Sequence, residues 1–230
     1  MELERIVASL VERIERRFYG KYRAIVVDNQ DPKRLGRLKV KVPSVLGPDV
    51  VTGWAAPCAP YGGAADQGLL FVPERDAGVW IEFEEGDLEF PIWVGTYWSR
   101  PGDKSQLPKP QGDDGTEQVE VQDPPTRKIL KTLKGHTVQF EDADGAEAVV
   151  VREGASGHLI TMDKRGITIV DKKHNTILLD DDGVKITDAT GNAVELTGSA
   201  FTLTAKVPFK LDASGQAVTI VAKNIDLQKG

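Results

Sequence analysis

The chain has one cysteine, Cys58, among 230 residues. A single thiol excludes an internal disulfide framework. The three histidines, His136, His158 and His174, are widely spaced from it and from any zinc-ligand pattern. No apolar run is long enough to span a membrane. The N-terminus is charged and lacks the apolar core of a signal peptide, so any exit from a bacterial cell is expected to bypass ordinary secretion. Basic charge is in deficit. The net charge is −6, spread along the chain, which argues against a general nucleic-acid binder, because such binding rests on neutralising phosphates. Aromatics are scarce after residue 130, where only Phe140, Phe201 and Phe209 occur. Ser44, Ser105, Ser156 and Ser199 all lack the G-x-S-x-G setting of an activated nucleophile. No catalytic, cofactor-binding or metal residue is assigned, and no cofactor is expected.

What the chain does have is a repeat. Gly166-Ile167-Thr168-Ile169 recurs as Gly183-Val184-Lys185-Ile186, as Ala200-Phe201-Thr202-Leu203 and as Ala217-Val218-Thr219-Ile220, each 17 residues on. A second column keeps the step: Ile160/Met162, Ile177/Leu179, Val194/Leu196 and weakly Leu211/Ala213. Val138/Phe140 opens the series, with a longer turn at 142–148. Apolar and polar residues alternate within each unit, the period of a strand with one buried face. Asp163-Lys164-Arg165-Gly166, Asp180-Asp181-Asp182-Gly183 and Thr190-Gly191-Asn192 supply turn chemistry between strands. Each unit is therefore two short strands and two turns. One unit cannot bury its own apolar face. Pattern alone leaves three solutions open: several chains wound about one axis as a trimeric prism, a single-chain solenoid, or half of a sandwich.

Ahead of the repeat, residues 2–18 read as an amphipathic helix. Leu3, Ile6, Val7, Leu10, Val11, Ile14 and Phe18 recur at helical spacing, with Glu and Arg between them. Packing on its own domain or a neighbouring subunit is the plain reading, and a membrane-surface helix is the other. Residues 21–98 read as a β-domain with strands at 22–27, 37–42, 50–56, 79–83 and 92–97. Five strands with Gly and Pro at the corners fit a small Greek-key barrel of the OB type. Its aromatics Trp54, Tyr61, Trp80, Trp93, Tyr97 and Trp98 raise the question of an oligonucleotide platform. The acidic neighbours of the later ones, Glu82 to Glu89, point instead to core and interface roles. Residues 99–128 are rich in Pro and Gly and read as a linker, extended rather than packed. The expected layout is thus a helix (1–20), a barrel (21–98), a linker (99–128) and a β-repeat (129–230).

The barrel residues resemble a known family. Arg34-Leu35-Gly36-Arg37-Leu38-Lys39-Val40 is similar to the "leGRvkV" strand of phage baseplate assembly protein V and VgrG-type spike proteins. Pro73, Gly78, Phe83, Gly86, Asp87, Pro91 and Gly95 follow the family's Pro/Gly/Phe/Gly-Asp/Pro/Gly pattern, with a residue or so added between Val72 and Asp76. Gly135-His136 and Gly157-His158 resemble the openings of that family's β-prisms.

The resemblance implies an all-β chain with an OB-fold collar and an intertwined triple-stranded β-helix, formed as a homotrimer. It implies a spike core of Val138, Phe140, Ile160, Met162, Ile167, Ile169, Ile177, Leu179, Val184, Ile186, Val194, Leu196, Phe201, Leu203, Val218 and Ile220. The implied partners are a separate baseplate hub protein, the inner tube and a PAAR-type tip protein. The last residues carry no His-x-His iron motif, and residues 99–128 are too short for a lysozyme domain, so a blunt, metal-free, non-enzymatic spike is expected. It would assemble in the bacterial cytoplasm as part of a virion tail or injection particle, and touch the target membrane only mechanically. The alternatives are an envelope-degrading enzyme with an interchain site and a nucleic-acid or glycan binder on a stalk.

Overall fold

The computed structural model describes residues 3–7, 11, 17–112, 114–118 and 125–228. It separates into two units, Met1–Leu107 and Pro108–Gly230. Of the helix expected over 2–18, residues 3–7 and 11 are helical and exposed; Phe18 is not helical, and the rest lies outside the described residues.

The first unit is a curled sheet. Strands β1 (Tyr22–Asp28), β2 (Lys39–Lys41), β3 (Ala56–Pro57), β4 (Gly78–Phe83) and β5 (Pro91–Tyr97) are ordered β2-β1-β4-β5-β3. Neighbours are antiparallel, except that β3 runs parallel to β5. The bridges Leu38↔Ala55 and Lys41↔Val51 then carry the pairing from β2 to the segment leading into β3. Hydrogen bonding thus returns on itself, the circuit of an OB-type barrel. The third strand, expected at 50–56, is reduced to these bridges and β3.

Strict alternation builds the core. Ala24 and Val26 of β1, Val40 of β2, Val79, Ile81 and Phe83 of β4, and Trp93 of β5 point inward with Leu38, Val42 and Ala55. The Trp93 indole N–H donates to the Gly36 carbonyl at 3.0 Å, so the polar tip of the buried ring is satisfied. Three other aromatics lie against the barrel's own cations. The Arg23 guanidinium sits 5.5 Å from the Trp80 and Tyr97 ring centres, and Arg37 and Lys39 flank Trp54. The Asp31 carboxylate braces the β1–β2 loop. It accepts from the Arg37 guanidinium at 2.6 and 3.0 Å and from the Lys33 and Leu35 amides. The Arg37 hydrogen bonds hold the Asp31 carboxyl well below the ordinary carboxylate range.

The second unit is one nine-stranded antiparallel meander, with strands adjacent in sequence order. They are β6 (Arg127–Lys131), β7 (Thr137–Glu141), β8 (Ala148–Arg152), β9 (Leu159–Asp163), β10 (Gly166–Val170), β11 (Thr176–Asp180), β12 (Gly183–Thr187), β13 (Ala193–Thr197) and β14 (Phe201–Thr204). Two differences from expectation stand out. Residues 110–112 are buried rather than extended in solvent. The cause is Gln139, whose side-chain amide mimics a neighbouring strand. Its Oε1 accepts from the Gln111 N–H at 2.8 Å, and its Nε2 donates to the Gln111 carbonyl at 2.7 Å. The second difference is that no strand follows Thr204 among the described residues, so the recurrence at 217–220 is not a strand in the single chain.

Gly78 is the tightest point of the barrel: a Cβ there would lie 2.7 Å from the Tyr97 ring. Gly78→Ala is expected to displace that ring from Arg23 and lower stability by about 1–3 kcal/mol. Urea unfolding followed by tryptophan fluorescence checks this, and an unchanged midpoint would show that Tyr97 is not fixed there.

Candidate assembly interface

Antiparallel pairing places the repeat's apolar residues in two continuous ladders. One runs Leu130, Val138, Val151, Ile160, Ile169, Ile177, Ile186, Val194, Leu203, each paired with the next across adjacent strands. The other runs from Lys128 through Phe140, Val149, Met162, Ile167, Leu179, Val184 and Leu196 to Phe201. Side chains directly paired across a ladder lie on the same face of the sheet. The result is an apolar stripe two residues wide and nine strands long, roughly 38 Å at the usual strand spacing.

In β7 and β9 of the single chain, polar residues are buried beside exposed apolar ones, although Val150 and Leu159 are buried on the same covered face. In β7, Thr137, Gln139 and Glu141 are buried, whereas Phe140 is 48% exposed. In β9, Thr161 is buried, whereas Ile160 and Met162 stand exposed. The opposite face of β7–β9 is covered by residues 110–112 and by the ion pair of Arg127 with Glu141. Burial raises the Glu141 pKa, but hydrogen bonds from Thr126 and Arg127 outweigh it, so the carboxyl titrates below its ordinary value. Farther along, that face carries Thr168, Lys185, Glu195 and Thr202, with Lys185 and Glu195 ion-paired across β12 and β13.

The turns lock the strand register. Asp188 accepts at Oδ1 from the Thr190 and Asn192 amides at 2.8 and 2.9 Å, and its Oδ2 accepts from Asn192 Nδ2 at 2.6 Å. Asp171 and Asn175 make the same closure one unit earlier. The asparagines then tie neighbouring units together: Asn175 Oδ1 accepts from the Ala189 amide at 3.0 Å, and Asn192 Oδ1 from Lys206 at 2.7 Å. His136 does the same work, its Nδ1 accepting from the Gly154 amide at 3.2 Å. His174 sits in its turn with φ of 63°, where the next turn has Gly191. In the Asp180-Asp181-Asp182 turn, Asp180 accepts from the Asp182 and Gly183 amides.

Fourteen of the sixteen residues expected at a spike core lie on the stripe, from Val138 to Leu203. Val218 and Ile220 lie beyond the last strand and are exposed. The structure adds Leu130, which precedes the first recurrence, and Val149 and Val151, which the 17-residue period misses because the longer turn at 142–147 breaks the step. Val149-Val150-Val151 does not alternate in polarity, so the sequence carries no face signal there.

The barrel motif residues take separate structural parts. Phe83 and Pro91 are buried. The Gly36 carbonyl receives the Trp93 indole, and the Pro73 carbonyl receives the Asn29 amide at 3.0 Å. Gly95 pairs Trp80 at a bulge in β5. The Gly86 carbonyl accepts from the Phe18 amide at 2.8 Å, and Asp87 lies 3.5 Å from Arg17, so the motif also fixes where the chain enters the barrel.

The ring-paired barrel, with these residues at its turns, is of the OB type. Residues 22–98 match the family model for the Type VI secretion system/phage-baseplate injector OB domain. The match supports identification of a baseplate protein V/VgrG-like chain, a structural component of a virion or injection particle. No curated protein matches the chain. Among the described residues, no helix is long and apolar enough to cross a membrane.

The turn closures predict a pH dependence for the repeat. Hydrogen bonds from Asn192 and then Thr190 lower the Asp188 pKa from 3.8 to about 2. A depressed folded pKa contributes stability above the unfolded value that is lost as pH falls through the folded one. Asp188→Asn is therefore expected to lower the urea midpoint at pH 6, with the gap from the unsubstituted protein closing between about pH 4 and pH 2. Circular dichroism at stepped pH reads this; a gap independent of pH would show that the Asp188 charge adds nothing to the turn.

Proposed function

We propose that the apolar stripe is the shared core of a homotrimer, and that the trimer is a non-enzymatic spike. The observation that carries the reading is the burial pattern of the repeat. Its apolar face stands half-buried to exposed along nine strands, while over β7–β9 the opposite face is covered. A contiguous exposed apolar surface of this length marks an interface. Many stripe residues are around two-fifths exposed in the single chain. Covering the remainder is worth about 1 kcal/mol per side chain, so the stripe drives association strongly. Two inward residues per strand suit a narrow axis shared by three faces, and the baseplate V/VgrG-like identification favours that count.

The mechanical reading follows from the same geometry. Short strands lie across the sheet's long direction, so load along that direction is spread over many backbone hydrogen bonds and over a continuous apolar axis. Such a shaft resists bending without catalysis. The injector OB domain supports a role for the barrel in attachment to a hub protein and inner tube. A tip protein at the far end of the shaft, and piercing of a target envelope when a sheath contracts, complete the proposal.

Light scattering on the purified chain tests it directly, with a mass of three chains expected. Ile169→Asp puts a carboxylate on the stripe and is expected to abolish the trimer. Thr168→Asp, on the opposite face, is expected to leave it intact. A monomeric unsubstituted protein, or equal behaviour of the two variants, would sink the shared-stripe reading.

A further inference from the structure

We infer that the outer face of the barrel, from β4 across β1 and β2 to Trp54, binds single-stranded nucleic acid, with its rings stacking on bases and its unpaired cations meeting phosphates. The face belongs to the first unit, so binding there does not depend on whether the stripe is shared between chains. Three observations point to it.

The first is a local reversal of charge. The chain as a whole carries a net charge of −6, yet between Asp31 and Asp49 it has five cations and no carboxylate. Leu38, Val40 and Val42 point inward and alternate with Arg37, Lys39 and Lys41, so these three cations share the outer face. Arg23 of β1 joins them, because its neighbours in the alternation, Ala24 and Val26, point inward. In OB-type barrels this side of the second and third strands is a common oligonucleotide platform.

The second is that the cations are interleaved with rings. Arg23 pairs directly with Trp80 across β1 and β4, and its guanidinium lies 5.5 Å from the Trp80 and Tyr97 ring centres. At the other end, Lys39 Nζ lies 5.2 Å and the Arg37 guanidinium 5.6 Å from the Trp54 ring centre. Lys41 stands between them, paired with Ile25 of β1. All three rings are half-buried, so each keeps an open part. Trp80 and Trp54 are three strand steps apart, roughly 14 Å along the sheet at the usual spacing. A single strand laid across the face meets a ring at each end and cations between. Stacking platforms combined with backbone-tracking cations are what unpaired bases and their phosphates require. An acidic peptide would use the cations alone, and a duplex hides the faces of its bases.

The third is that the positive charge is free. Among the described residues, Arg23, Lys39 and Lys41 form no ion pair. The carboxylates bordering the face are engaged: Glu82 pairs with Lys21, Asp31 with Arg37, and Asp28 accepts from the Gln30 amide at 2.9 Å. Arg37 is thus held beside Trp54, leaving Arg23, Lys39 and Lys41 to meet phosphates. The acids at 84–89 lie past the end of the strand that carries Trp80. The overall acidity of the chain therefore sits away from this face and limits binding to it.

Fluorescence anisotropy of a labelled oligothymidine of about twelve nucleotides, within the usual span of an OB fold, tests this on the full-length protein over a series of salt concentrations. Binding is expected, with quenching of tryptophan emission. Trp54→Ala is expected to weaken it about tenfold, the loss of one stacked base. Lys39→Ala/Lys41→Ala is expected to flatten the slope of log affinity against log salt by about 1.4, the share of two phosphates on a single strand. That variant leaves the core untouched, which keeps the test decisive should Trp54→Ala fail to fold. Lys172→Ala/Lys173→Ala, in an exposed turn of the second unit, is expected to change neither affinity nor slope. Absence of binding by the unsubstituted chain, or equal weakening by the Lys172/Lys173 variant, overturns nucleic-acid binding at this face. Binding of duplex, heparin or polyglutamate at least as tight as that of oligothymidine overturns it as well, since the face would then attract any polyanion.

Discussion

The second unit depends on a face that one chain cannot cover. Strand alternation sends two apolar residues per strand to the same side of the sheet, and the meander offers no second layer to meet them. Within this unit the chain spends its buried contacts on the other side, where Gln139 holds Gln111 and Arg127 pairs with Glu141. An exposed apolar ladder beside a covered polar face is unstable in isolation, because the hydrophobic term that normally drives folding is unrealised. The sheet is therefore a half-structure, which the trimer proposed above would complete.

The barrel obeys the opposite logic. Its alternating residues converge on one interior, with Leu38, Val40, Val79 and Ile81 fully buried. Pairing returns on itself, and Trp93 has a partner for its only polar atom. This unit completes its core within one chain. The family motif is consistent with that self-sufficiency: its glycines and prolines fix turns, a bulge and a close approach to Tyr97.

Much of this was legible in the sequence. The 17-residue step marked the strands, the alternation marked the stripe, and the aspartates and glycines marked the turns. The barrel strands were legible too, apart from the one at 50–56, where pairing shrinks to isolated bridges. What escaped was long-range. Nothing in the composition of residues 110–112 foretells burial, because their partner is a glutamine 28 residues on. Val149 and Val151 escaped because a longer turn breaks the period that identified their neighbours, and Leu130 because it precedes the first recurrence.

By itself, the sequence determined the repeat's strand identity, its register and which face is apolar, since these follow from local periodicity and turn chemistry. It also determined the barrel family through residues that serve turns. Only the tertiary structure decided that the apolar face stays open while the opposite face of β7–β9 is covered, because burial depends on which segments fold back. It likewise decided that the within-chain ladder stops at β14. The physical reason is that pairing of one strand with the next depends on contacts between segments, which local periodicity does not contain.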